Sequence, residues 1–131
     1  MSFLLTNLQF FFAAFNFGAI LFVQWVHYPL FRNVGEDSFV RYHQLHVSRT
    51  TLLLGTSLFC EMLLNLWLAQ PIPLILLSIG WIATFLVSVP QHGQLEKGFL
   101  EQAHRTLLFS NLVRSIAWGA LTVYLIFRST L

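Results

Sequence analysis

A chain of 131 residues that is 56% hydrophobic and 9% charged, with mean hydropathy +0.70, has too little polar surface for a soluble domain, where about a quarter of residues carry charge. The length bounds it to one domain, 1–131, and seven Lys and Arg against five Asp and Glu form no basic run, which excludes nucleic acid as a partner. The expected surroundings are a lipid bilayer and a small lipophilic ligand, and a homo-oligomer is compatible with both.

In chain order, MSFLLTNLQF has no Lys or Arg before its apolar run and no small-residue cleavage pattern after it, so it reads as a permanent span rather than a signal peptide. A span needs roughly 20 apolar residues to cross about 30 Å of hydrocarbon, and four fit: about 5–28, 50–69, 72–90 and 106–127. The first is expected to stop at HYPLF, where Pro29 disfavours helix in the residue before it. Gly35–Ser38 follows as a turn, with Asp37 or Ser38 as N-cap. The pattern from Phe39 runs unbroken into the second span, so helix two is expected to extend into the cytoplasm. AQPIP makes a tight hairpin, and Pro90 is expected to end helix three. The class is all-α: an integral membrane up-down four-helix bundle. A glycine near the middle of each span (Gly18, Gly55, Gly80, Gly119) suits close helix packing in lipid. The lone Cys60 reads as a small buried hydrophobe.

Arg32, Arg41, Arg49, Lys97 and Arg105 lie in or beside the 1–2 and 3–4 connections, against Arg128 at the other side. The positive-inside rule then puts both connections in the cytoplasm and both termini outside, in what is expected to be a bacterial inner membrane.

Polar residues inside the spans fall on stripes at about 100° per residue. Asn16 and His27 share a face of span one, with Gln24 a turn before His27. On helix two His43, His46, Thr50, Ser57, Glu61 and Asn65 align; span three offers Thr84 and Ser88; span four aligns His104, Asn111, Arg114, Trp118 and Thr122. Such groups must face inward and satisfy one another. Near the cytoplasmic surface lie Gln24, His27, Tyr28, His43, His46, Arg49 and His92, with His104 just outside; deeper lie Glu61 and Arg114, about 18 and 12 Å into their helices at 1.5 Å per residue. Glu61 and Arg114 are expected to pair, directly or through Asn111, Asn16 or water, as a structural lock or as part of a site.

The histidines suggest metal. His43 and His46 sit one turn apart, and His27 and His92 complete a set of four suited to zinc, copper or iron; a b-type haem between two histidines is the narrower version. Alternatively, Gln24, Tyr28, Arg49 and Trp118 line a pocket for an anionic or phenolic ligand, where Arg offers a planar fork of donors. In that version a histidine, His92 first, is a general base, while Asn111 and Arg114 stabilise the anion and Glu61 orients Arg114.

HYPLF, the run Val89-Pro90-Gln91-His92-Gly93-Gln94-Leu95 and SNLVRSIAW with Asn111 and Arg114 together resemble the anthrone-oxygenase-like family of small four-helix membrane proteins. His92 stands where that family has Asn, and YHQLH (42–46) lies outside its pattern. The resemblance implies oxygen chemistry on a lipophilic aromatic phenol without an obvious cofactor. The expected function is thus a membrane oxidoreductase or monooxygenase acting on an aromatic or quinone-like substrate. The alternative is a non-enzymatic protein that binds metal or haem, or supports a larger membrane complex.

Overall fold

The computed structural model describes residues 3–129, and among these there is no strand. Four helices are long and apolar enough to cross a membrane: Phe3–Asn33, Glu36–Leu68, Pro71–Leu95, and a fourth, Glu101–Ser129, that qualifies over Glu101–Arg128. They are called helices one to four below. At 1.5 Å per residue the 33 residues of helix two reach about 50 Å, well beyond a hydrocarbon core of about 30 Å.

The helix ends differ from the sequence reading in one consistent way. Neither Pro29 nor Pro90 stops its helix. Helix one opens into a π turn at Val23–His27, and then tightens into a 3-10 turn over Pro29–Asn33. Helix three opens into a π turn at Thr84–Ser88 and continues α-helical from Val89 to Leu95. Proline has no N–H to donate, and its ring crowds the carbonyl one turn back. A widened turn ending two residues before each proline accommodates both defects. The third π turn, Thr51–Gly55 in helix two, has no proline after it.

Two connections also depart from expectation. The N-cap of helix two is Gly35, in extended conformation and without a side-chain bond, not Asp37 or Ser38; Glu36 and Asp37 instead occupy the first turn, where acidic charge opposes the helix dipole. The hairpin between helices two and three turns on Ala69, a left-handed residue with φ 50°, before Pro71 opens helix three.

The helices pack in chain order around a ring. Helix four packs extensively on helices one and three, and helix one on helix two. Half of the apolar window of helix four is buried against 28% or less in the others, so helix four is the bundle's spine. Helices two and three close the ring weakly. Their main contacts lie between the segments that flank the hairpin and where helix two faces Val89–Leu95.

Two of the four mid-span glycines serve close approach. A Cβ on Gly80 would lie 2.0 Å from the Trp118 ring, and one on Gly119 3.0 Å from Phe17. Gly18 has open space, and Gly55 meets only Thr51 of its own helix. Cys60 is exposed on the apolar outer face, not buried.

A lateral cavity above a histidine cluster

The inward-facing stripes form layers. Gln9 Nε2 donates to Asn65 Oδ1 at 2.7 Å near the hairpin end, a layer that the sequence reading missed although Gln9 lies seven residues, about two turns, before Asn16 on the same buried face. Deeper, Glu61 is fully buried, and its Oε2 accepts from Asn16 Nδ2 and Trp118 Nε1, both at 2.7 Å. Arg114 belongs to a different group. Its Nη1 donates to Asn111 Oδ1 at 3.3 Å, while Asn111 Nδ2 donates to Gln24 Oε1 at 3.0 Å and to the Ile20 carbonyl at 3.2 Å.

Glu61 and Arg114 therefore do not pair, directly or through one shared asparagine. Two neutral N–H donors meet Glu61 Oε2, while Oε1 is buried without a partner among the described residues, and an asparagine carbonyl meets the guanidinium. Trp118 is likewise not a pocket wall: 1% exposed, it fills the core against Gly80 and holds Glu61. Gln24 serves as partner to Asn111.

Toward the end of the bundle bearing the 1–2 and 3–4 connections, the four predicted histidines do come together. His27 Nε2 and His46 Nδ1 share a hydrogen bond of 2.6 Å, and Thr50 Oγ1 stands 3.2 Å from the same His46 nitrogen. His43 Nε2 bonds His92 Nδ1 at 3.0 Å, and Tyr28 Oη bonds His92 Nε2 at 3.0 Å. His46 and His92 ring centres lie 5.6 Å apart, which joins the two pairs. The continuation of helix three past Pro90 is what carries His92 into this cluster. His104, expected outside the membrane, is fully buried and bonds the Tyr28 carbonyl at 2.7 Å. Phe31 and Phe39, both wholly buried, pack edge-on or stacked against His43 and cap the cluster from below.

This cluster does not fit a metal as it stands. Nitrogens sharing a tetrahedral ion at 2.0–2.1 Å lie roughly 3.3 Å apart. At 2.6 and 3.0 Å the facing nitrogens here are hydrogen-bonded to each other, leaving no space for an ion, and still less for a haem ring between them. Among the described residues no group of three or more His, Cys, Asp or Glu is arranged to hold a metal.

Above the cluster lies a cavity of about 370 Å³ between helices two and three, within the usual size of small-molecule pockets. His46, His92 and Tyr28 form one end, and Arg114 reaches in from helix four. All three π turns contribute to its wall, through Val23, through Thr51, Leu54 and Gly55, and through Thr84, Phe85 and Ser88. Widened turns are frequent at functional sites; they left no readable sign in the sequence beyond the two prolines. Ser110 Oγ, bonded to Ser88 at 2.9 Å, also donates to the Ala83 carbonyl beside the turn in helix three.

Arg114 is 7% exposed, and among the described residues it forms no ion pair and its Nε has no partner. By contrast, exposed Arg32 and Arg105 both bind Glu101, at 2.5 and 2.8 Å. Arg105 first, with Arg32, holds that carboxyl below its ordinary range. Arg49 does not share the cavity with Arg114. It is exposed and borders shallow clefts beside His27, on the far side of the His27–His46 pair. His92 has both ring nitrogens engaged, whereas His46, which lines the cavity, uses only Nδ1 in hydrogen bonds among the described residues.

The arrangement can hold an oxygen with negative charge against Arg114 and take up its proton on an imidazole, in surroundings that are otherwise apolar. Compared with family models, with curated proteins and with solved structures, the chain matches none of them.

Proposed function

We propose that this protein is an integral protein of a bacterial inner membrane, with both termini outside, that binds a lipophilic aromatic phenol or quinone-like molecule between helices two and three and acts on it as an oxidoreductase of the oxygenase type. The observation that carries this reading is Arg114: a buried guanidinium at the wall of an apolar cavity, with no carboxylate partner. A buried cation without a counter-charge is costly, and an anionic ligand oxygen supplies one. The five cations near the 1–2 and 3–4 connections support the orientation.

In this reading the phenol O–H breaks, the proton passes to His46, and the oxyanion lies against Arg114, which Asn111 positions. His92, held by His43 and Tyr28, orients the ring. Dioxygen is the oxidant of the bound phenolate: one oxygen atom is inserted to give a quinone, and the two hydrogens lost leave with the second oxygen atom as water. No step runs through a metal, because the histidines are bonded to one another.

The test uses 2-naphthol, which is neutral in water at pH 7, and purified protein in liposomes. A naphtholate absorption band that saturates at one per protein is expected. Arg114→Gln removes a charge-assisted hydrogen bond of about 1.5–3 kcal/mol and should weaken binding by about tenfold or more; His46→Ala should abolish the naphtholate band while leaving neutral naphthol bound. A wild type that shows no band and binds no naphthol sinks the reading. So does stoichiometric iron, copper or zinc lost in His43→Ala and His46→Ala, which would restore the metal site.

A further inference from the structure

We propose that the ligand reaches this cavity sideways, from the hydrocarbon core of the bilayer, through the gap between helices two and three. It is therefore a membrane-dissolved molecule with a single acidic or strongly hydrogen-bond-accepting oxygen on an apolar body. The inference rests on the cavity reading above and adds the route and the physical class of the ligand.

Three observations carry it. First, the main contacts between helices two and three involve the segments that flank the hairpin and Val89–Leu95, while at the level of their π turns the cavity lies between them, so the gap is a window between two joined ends. Its rim consists of Phe59, Phe85 and Val89, which are 57%, 60% and 53% exposed on the face that a bilayer would cover.

Second, the end toward the helix connections is shut. His43, His46, His92 and Tyr28 are linked by hydrogen bonds and ring contacts.

 Leu95, like Phe31 and Phe39, is wholly buried beneath the histidines, and among the described residues this apolar layer seals the cavity from the connection side.

Third, the cation lies too deep for a lipid headgroup. Arg114 is about 12 Å below the membrane end of its span, counted from residue 106 at 1.5 Å per residue. A phospholipid phosphate seated there would leave the interface for hydrocarbon, at the full cost of burying a charge. A weak acid that crosses the hydrocarbon neutral and meets Arg114 only inside the cavity avoids that cost.

The experiment is stopped-flow quenching of Trp81, which lines the cavity, by 6-bromo-2-naphthol in proteoliposomes, with Trp81→Phe identifying the signal. Filling the window rim with Val89→Phe or, separately, Phe59→Trp should slow association and dissociation alike by about tenfold, with affinity held within about threefold. Retained affinity shows that the variant is folded. On the wild type, 2-naphthol-6-sulfonate carries the same phenol on a permanently charged body and should give no binding phase when added outside the vesicles. The route is overturned if both window variants associate at the wild-type rate, or if the sulfonate associates as fast as the bromonaphthol. If the bromonaphthol itself fails to bind the wild type, the cavity reading falls and takes the route with it.

Discussion

Gly80 has no room for a methyl group. A Cβ there would sit 2.0 Å from Trp118 Cζ3, and the indole cannot retreat without releasing the buried Glu61 carboxyl that it bonds. Gly80→Ala thus combines overpacking, typically 1–3 kcal/mol, with a buried acceptor losing one of its donors, about 1–3 kcal/mol more. We expect a loss of about 2–4 kcal/mol, seen as a lower thermal midpoint in detergent; Gly18→Ala, facing open space, should leave the midpoint nearly unchanged. Equal midpoints for the two variants would show that Trp118 is not seated on Gly80. The same scale explains why Glu61 and Arg114 were misread as a pair. Two opposite charges at comparable depth suggest attraction, but which side chain a group meets depends on its rotamer and neighbours. Asn16 and Trp118 reach Glu61 first, and Arg114 meets Asn111 instead.

At the scale of elements, the hairpin between helices two and three is strained at one residue. Ala69 holds φ 50°, a region that costs an L-residue with a Cβ about 1 kcal/mol, whereas glycine enters it freely. Ala69→Gly should therefore raise stability by about 0.5–1 kcal/mol, measurable as a higher unfolding midpoint in detergent; a lower midpoint would mean that the left-handed turn is not formed. The prolines teach a related lesson. HYP and SVP look like stops because proline breaks an ideal α-helix, yet each follows a π turn that absorbs the break. A π turn has no residue signature of its own, so its presence is decided by how the helix must pack. Its consequence is large: it places Tyr28 and His92, on either side of those prolines, 3.0 Å apart.

For the whole molecule, the up-down path puts the 1–2 and 3–4 connections at one end, where Arg32 of helix one reaches Glu101 of helix four. In a background of Cys60→Ser, an impermeant maleimide added to intact cells should label Ile72→Cys beside the hairpin and spare Ser38→Cys until the cells are opened. The reverse pattern would invert the orientation and move the histidine cluster to the outer leaflet. The weak closure of the ring between helices two and three is a property of the assembled bundle alone. It arises because helix four, as the spine, draws helices one and three to itself, while helix two packs sparsely on both of its neighbours.

Hydrophobic length determined the number of spans, and the period of 3.6 residues determined which polar side chains face inward: Asn16, His43, His46, Glu61, Asn65, Asn111 and Arg114 are all buried, as their stripes required. Those features follow from local sequence because burial of an apolar face, and exclusion of polar groups from lipid, act on each helix separately. Partner choice within the bundle did not follow. Whether His92 meets a metal or Tyr28, whether Arg114 meets Glu61 or an open cavity, and where helices two and three part all depend on distances between helices. Only the tertiary structure fixes those distances, through the close seats at Gly80 and Gly119 and the three widened turns.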